Sequence, residues 1–84
     1  MTIHHNIAAS RFETIVEGHQ SVAEYRLAGN DMIFTHTYVP PELRGRSIAS
    51  QLIRVGVDFA RKENKNIVPQ CSYVAAWLQR HPAD

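Results

Sequence analysis

The sequence predicts a small α/β domain in which three antiparallel strands, a crossover helix, a parallel fourth strand and a last helix follow in that order. Three observations carry this. Short segments of period-2 patterning fill the chain before Pro40, an amphipathic stretch of helical spacing follows a Pro-Pro break, and a short apolar run, Ile67-Val68-Pro69, comes directly after it. A helix placed between two strands of one sheet returns the chain to the same end, so those strands are expected to be parallel.

Met1 to Ser10 is weakly patterned, a lead-in that either lies along the sheet edge or frays. From Arg11 to Glu17, Phe12, Thr14 and Val16 share one side of a first strand, and Gly18-His19-Gln20-Ser21 supplies turn chemistry. A second strand runs from about Val22 to Ala28. It carries Ala23, Tyr25 and Leu27 on one face and Glu24 and Arg26 on the other, as a half-solvated antiparallel strand should. Gly29-Asn30 marks a two-residue hairpin. Met32 to Val39 forms the third strand, with Ile33 and Val39 on one face and Met32, Phe34 and Tyr38 on the other, so it should be central.

Pro40-Pro41 ends that strand, because proline lacks the N–H a ladder needs and holds the preceding residue extended. From Ser47 to Lys62, Ile48, Leu52, Val55 and Phe59 recur at spacings of 4, 3 and 4 while Gln51, Arg54, Asp58 and Lys62 face away. This is the crossover helix. After the fourth strand at Ile67-Val68-Pro69, Ser72 can cap a final helix from Tyr73 to Arg80, whose apolar face is Val74, Trp77 and Leu78.

Length and composition narrow the function. Eighty-four residues fit one domain, residues 1–84, and a chain this short buries only about 60% of the surface it exposes when unfolded. Hydrophobic content of 44% with 20% charged residues belongs to a folding chain rather than a disordered one. Nine basic residues against eight acidic ones give a net charge of +1. That balance lacks the summed field on which non-specific nucleic-acid binding relies, so no nucleic-acid partner is expected and any phosphate recognition must be local. Cys71 is the single cysteine, so no intrachain disulfide can form, and a reducing cytoplasm is the expected home. No apolar run approaches the ~18 residues of a membrane span, and the start of the chain lacks the pattern of a cleaved leader. A soluble cytoplasmic protein without a membrane partner is expected. His4 and His5 are not spaced with other ligands, so no metal site is expected.

The informative segment is Val39-Pro40-Pro41-Glu42-Leu43-Arg44-Gly45-Arg46-Ser47-Ile48-Ala49. Backbone N–H groups at a helix start lack intrahelical partners, and the helix dipole adds roughly half a positive charge there. Gly45 allows close backbone approach, and Arg44 and Arg46 can add charge-assisted contacts to phosphate oxygens. Spacing alone fits equally a loop with two solvated arginines before an ordinary helix.

Arg44-Gly45-Arg46-Ser47-Ile48-Ala49 resembles the Arg/Gln-x-x-Gly-x-Gly/Ala signature of the GNAT superfamily, the acyl-CoA-dependent N-acetyltransferases. The similarity extends to Arg11-Phe12-Glu13, Thr35-His36-Thr37, Val68-Pro69, Cys71-Ser72-Tyr73-Val74 and Arg80-His81-Pro82, which resemble a family of very short GNAT-like proteins. The resemblance implies a minimal GNAT-like fold and acetyl-CoA, or coenzyme A, as co-substrate. It implies that the loop from Arg44 to Ala49 holds the pyrophosphate, that the pantetheine arm pairs with the backbone of Thr37, Tyr38 and Val39, and that Cys71 and His36 form the reactive pair. Tyr73 would protonate the leaving thiolate or pack on the sheet. Ser47 stands where the signature has its internal glycine, a departure expected to weaken cofactor binding without abolishing it.

The reaction implied is acetyl transfer from acetyl-CoA to an unidentified amine acceptor, with Cys71 carrying the acetyl group transiently and His36 taking a proton from the thiol or the amine. Without the resemblance, Cys71 reads as a small packing residue and His36 as a hydrogen-bonded core residue. The chain leaves little length for elements that would shape an acceptor pocket. The acceptor is therefore large, such as a protein, or supplied by a partner, or absent. In the last case the protein is a non-catalytic acyl-CoA binding or sensing module.

Overall fold

Alternating side chains before Pro40 become a continuous antiparallel meander. In the computed structural model, which describes residues 1–82, strands β1 (His4–Asn6), β2 (Arg11–Val16), β3 (His19–Ala28) and β4 (Asp31–Tyr38) pair in sequence. The last two positions of the expected 1–84 domain lie outside the described residues. Helix α1 (Ile48–Lys62) crosses over to β5 (Asn66–Pro69), which lies parallel to β4, and α2 (Ser72–Arg80) follows. The five-stranded sheet has the order β1-β2-β3-β4-β5. The α/β class, the parallel pair and the expected order of elements are those of the structure, with one strand added by the lead-in. Of its two alternatives, the lead-in takes the sheet edge, where His5 stands opposite Phe12.

The turn between β2 and β3 is Glu17-Gly18, and His19, Gln20 and Ser21 already belong to β3. The expected bounds are thus corrected: β3 begins three residues earlier than Val22, and β2 ends one residue before Glu17. Both turn residues have positive φ, 53° and 80°, the backbone hand that suits the twist of paired strands, and sequence patterning does not reveal that Glu17 accepts it. Gly29-Asn30 joins β3 to β4 as expected.

A β-bulge corrects the expected faces of β4. Glu24 pairs with His36 and Tyr25 with Phe34, which leaves Thr35 without a partner. The extra residue shifts the alternation, so Met32 and Phe34 lie on the helix-covered face, Thr37 joins them, and Tyr38 turns outward beside His36. Strict period-2 counting had placed Tyr38 with Phe34. Leu27, expected on the inner face of β3, ends up largely exposed near the sheet end.

α1 begins at Ile48, the first residue of its apolar pattern and one residue later than the expected start at Ser47, which is the N-cap. Its buried residues are Ile48, Leu52, Ile53, Gly56, Val57 and Ala60, while Val55 is 37% exposed and Phe59 half-buried. The expected face, drawn through Val55, is therefore rotated. The physical reason is close approach. A Cβ on Gly56 would lie 2.9 Å from Phe34 Cε1, so the helix presents its small residues to the sheet, and a reading that follows large side chains misses them. The core beneath α1 joins Phe12, Ala23, Tyr25, Met32 and Phe34 to Val74 and Trp77 of α2. α2 also begins differently from expectation, with Cys71 at the N-cap and Ser72 already helical.

At the β1 edge, the His5 ring stacks on Phe12 at 4.1 Å, meets Phe59 edge-on at 4.6 Å, and places Nε2 2.6 Å from Tyr25 Oη. Burial, and then the neighbouring His4, hold the His5 imidazole below its ordinary pKa, so the folded state favours the neutral ring. The stabilisation is present above the unfolded value of about 6.5 and is lost as pH falls through the depressed folded value. The melting temperature should fall more for the wild type than for His5→Phe between about pH 7.5 and 5. Parallel profiles for the two proteins would refute this role.

Candidate functional site

The helix-entry loop is anchored at one end and open at the other. After β4, Pro40 is buried, a single 3₁₀ turn covers Pro41–Leu43, and the fully buried Leu43 ties the loop to the core. From Arg44 to Ser47 the chain is exposed, with positive φ at Gly45 (85°) and Ser47 (62°). Ser47 adopts left-handed geometry (φ 62°, ψ 22°), and its hydroxyl makes no capping hydrogen bond. Among the described residues no side chain accepts from the first-turn amides of α1, and they carry the positive end of the helix dipole.

Those amides border a cleft of about 270 Å³ between the loop, α1 and α2. Val39, Arg44, Gly45, Ser47, Ile48, Ala49 and Tyr73, all expected to bind cofactor, line it. The loop and α1 also contribute Leu43, Ser50 and Ile53, and α2 contributes Trp77 and Arg80. Sequence reasoning missed these five. For Trp77 and Arg80 a signal existed, since Tyr73, Trp77 and Arg80 recur at spacings of 4 and 3 and so share one face of a helix.

The two loop arginines divide. Arg46 pairs with Glu17 of the β2–β3 turn, and both side chains are substantially exposed. The hydrogen bond from Arg46 holds the Glu17 carboxyl below its usual range, and the guanidinium pKa is raised in turn. Arg44 Nε donates to the Val39 carbonyl at 3.0 Å, which folds its guanidinium back along the cleft wall. Arg46 is not among the lining residues and is occupied by a carboxylate, whereas Arg44 faces the cleft.

Trp77 fixes the opposite wall. Its Nε1 donates to Ser50 Oγ at 3.1 Å, the Arg54 guanidinium lies 5.3 Å above the ring, and His81 stacks on it with centroids 4.3 Å apart. These contacts give the Arg80-His81-Pro82 segment a physical role. His81 clamps the tryptophan that joins α2 to the first turn of α1.

β4 runs past the end of β5. Their pairing stops at Phe34 and Pro69, and the Cys71 amide donates to the Phe34 carbonyl at 2.9 Å. Beyond that point, among the described residues, the edge formed by Thr37 and Tyr38 of β4 and continued by Val39 has no strand beside it on the β5 side. The Cys71 thiol, half-buried, donates to Thr37 Oγ1 at 3.6 Å, which sets the sulfur over this opening. His36 is exposed and stacks near Tyr38, with centroids 6.5 Å apart. Consecutive strand residues point to opposite faces, so the structure brings Cys71 to Thr37 and leaves His36 across the strand. Among the described residues no group of three or more His, Cys, Asp or Glu is arranged to hold a metal, and no helix is long and apolar enough to cross a membrane.

The chain thus combines a mixed sheet and crossover helix with an exposed loop at the helix start and a strand edge that leads to a thiol. The family model described as GCN5-related N-acetyl-transferase matches residues 11–84. The chain belongs to that family, and its function is accordingly acetyltransferase-like. Members of the family in general use acetyl-CoA as co-substrate and an amine as acceptor.

Proposed function

We propose that this protein binds acetyl-CoA in the cleft over the α1 N-terminus and transfers its acetyl group to an amine. The observation that carries the reading is continuity. The cleft floored by the first turn of α1 runs on from Val39, where the unpaired edge of β4 begins, and that edge leads to the sulfur of Cys71.

In this reading the first-turn amides of α1 and Arg44 hold the pyrophosphate, and the backbone of Thr37, Tyr38 and Val39 accepts the pantetheine arm as a short added strand. The Cys71 sulfur attacks the thioester carbonyl, its proton passes to the departing CoA sulfur, and Tyr73, which lines the cleft two positions along the chain from Cys71, supplies or relays it. The acceptor amine then approaches the β4–β5 opening from the uncovered sheet face. There nitrogen bonds to the acetyl carbon, the Cys71 sulfur leaves as thiolate, and the amine proton passes through water to His36 on the uncovered face. Arg46, held by Glu17, stiffens the loop rather than touching phosphate.

Intact-mass measurement after incubation with acetyl-CoA, followed by peptide mapping, tests the reaction. One acetyl group on Cys71, absent in Cys71→Ala and discharged by an added amine, is expected. The second reading, a non-catalytic acyl-CoA binding or sensing module, is favoured by one observation: neither Cys71 nor His36 lines the cleft itself. Tight coenzyme A binding with no acetyl loss across an acceptor screen would establish that reading and sink the enzyme.

Ser47→Gly should tighten coenzyme A binding, because removing Cβ clears space at the amides that approach phosphate. It should also stabilise the fold. Left-handed geometry costs a non-glycine residue roughly 1–2 kcal/mol, and the greater unfolded-state freedom of glycine offsets about 0.4–1 kcal/mol of that. The net gain, about 0.8 kcal/mol at mid-range, corresponds to roughly 3–6 °C in Tm for a domain of this size. Unchanged or weaker binding by calorimetry would count against the pyrophosphate site.

A further inference from the structure

Arg80 stands outside the helix-entry loop, yet it lines the same cleft. Tyr73, Trp77 and Arg80 lie along one face of α2, and at 1.5 Å per residue the first and last are about 10 Å apart. The row has a direction. α2 starts at Cys71, whose thiol meets Thr37 at the opening beside β4, so the Tyr73 end of the row adjoins the sulfur and Arg80 marks the far end. Midway, Trp77 bonds Ser50 in the first turn of α1, the turn whose amides face the cleft.

A ligand lying in this cleft with its sulfur toward Cys71 and its pyrophosphate on the α1 amides therefore has its remaining part beside Arg80. In coenzyme A that part is the nucleoside, which carries a separate phosphate on the ribose 3′ oxygen. Resting on the acetyl-CoA reading above, we propose that Arg80 binds this 3′-phosphate and makes the cleft discriminate coenzyme A from nucleotides that lack it.

The charges around the cleft support the assignment. Arg46 is occupied by Glu17, Arg54 lies over the Trp77 ring, and Arg44 is folded onto the Val39 carbonyl at the loop end. Arg80 has no carboxylate partner among the described residues. A phosphate monoester is a close geometric match for its planar fork of N–H donors, which can bond two oxygens at once. Fixing Trp77 between Ser50 and His81 also fixes the helical turn from which Arg80 projects, so the guanidinium is presented by a rigid element.

Calorimetric titration of the wild type, Arg80→Gln and Arg80→Lys with coenzyme A and with 3′-dephospho-coenzyme A, at one low ionic strength, tests the proposal. The wild type should prefer coenzyme A by about tenfold, the range of one charge-assisted contact. Arg80→Gln should lose most of that preference while binding the dephospho form as the wild type does, and Arg80→Lys should keep part of it. Equal wild-type affinity for the two ligands, a preference that survives Arg80→Gln, or an equal loss for both ligands in that variant would each overturn the role of Arg80. Binding of neither ligand to the wild type would instead overturn the acetyl-CoA reading, and the role of Arg80 with it.

Discussion

Trp77→Ala is expected to cost about 3–5 kcal/mol, the range for removing a fully buried large aromatic. At 0.05–0.15 kcal/mol per residue, a chain of 84 residues has roughly 4–13 kcal/mol of total stability. The loss is then a large part of the whole, and the variant should be partly unfolded at physiological temperature. Trp77 is 1% exposed and makes four kinds of contact at once: core packing against α1, a hydrogen bond to Ser50, the Arg54 guanidinium above it, and the His81 ring beside it. Trp77→Phe keeps most of the volume and the ring but strips Ser50 of its donor, which should cost about 0.5–1.5 kcal/mol for the hydrogen bond in addition to the smaller cavity. Far-UV circular dichroism through urea titration resolves the series, since the only tryptophan is the one removed. A Trp77→Ala midpoint close to wild type would mean that α2 is not fastened through this residue.

The second large effect reverses a usual rule. Alanine in place of an interior helical glycine normally stabilises by about 1 kcal/mol. At Gly56 the added Cβ would meet Phe34 Cε1 at 2.9 Å and Phe12 Cε2 and Cδ2 at 3.2 and 3.3 Å. Both rings are 1% exposed and sit in the middle of the core, so neither can turn aside into free space. Overpacking of this kind costs about 1–3 kcal/mol, which set against the propensity gain of about 1 kcal/mol leaves Gly56→Ala up to about 2 kcal/mol less stable. Gly56→Leu should abolish cooperative unfolding. A rise in Tm for Gly56→Ala would show instead that α1 can lift from the sheet at no cost.

Both predictions rest on contacts that only the folded chain displays, and they mark where sequence reasoning stops. Hairpin signals at Gly29-Asn30, the Pro40-Pro41 break and the helical spacing after Ser47 were readable because each is local chemistry: turn-compatible backbone, a missing N–H, a 3.6-residue period. The bulge at Thr35 was not readable, because an unpartnered residue is a property of two strands in register. Its effect is large, since it sends Tyr38 outward and sets Thr37 under the Cys71 sulfur. The face of α1 was misdrawn through Val55 for a related reason. Glycine and alanine carry no hydrophobic signal, yet the closest approach of helix to sheet selects them.

The site divides along the same line. Arg44, Gly45, Ser47, Ile48 and Ala49, which the entry motif singles out, all line the cleft, because consecutive residues at a helix start are held at one place in any fold. Arg44 and Arg46 look equivalent in the sequence, but a turn from a distant part of the chain brings Glu17 to Arg46 and leaves Arg44 on the cleft. His36 and Cys71 carry reactive groups that any reading would notice, and strand alternation then decides that the thiol meets Thr37 while the imidazole faces the other side.

By itself the sequence determined the order and kind of the elements after the lead-in, the parallel pairing across a crossover helix, and a helix start entered through Gly45 and Ser47, all of which follow from forces acting between residues a few positions apart. Tertiary structure alone decided which arginine faces the cleft, which wall closes the cleft, and which neighbour the thiol acquires. Those outcomes depend on packing distances between segments far apart in the chain, and no local pattern encodes a distance.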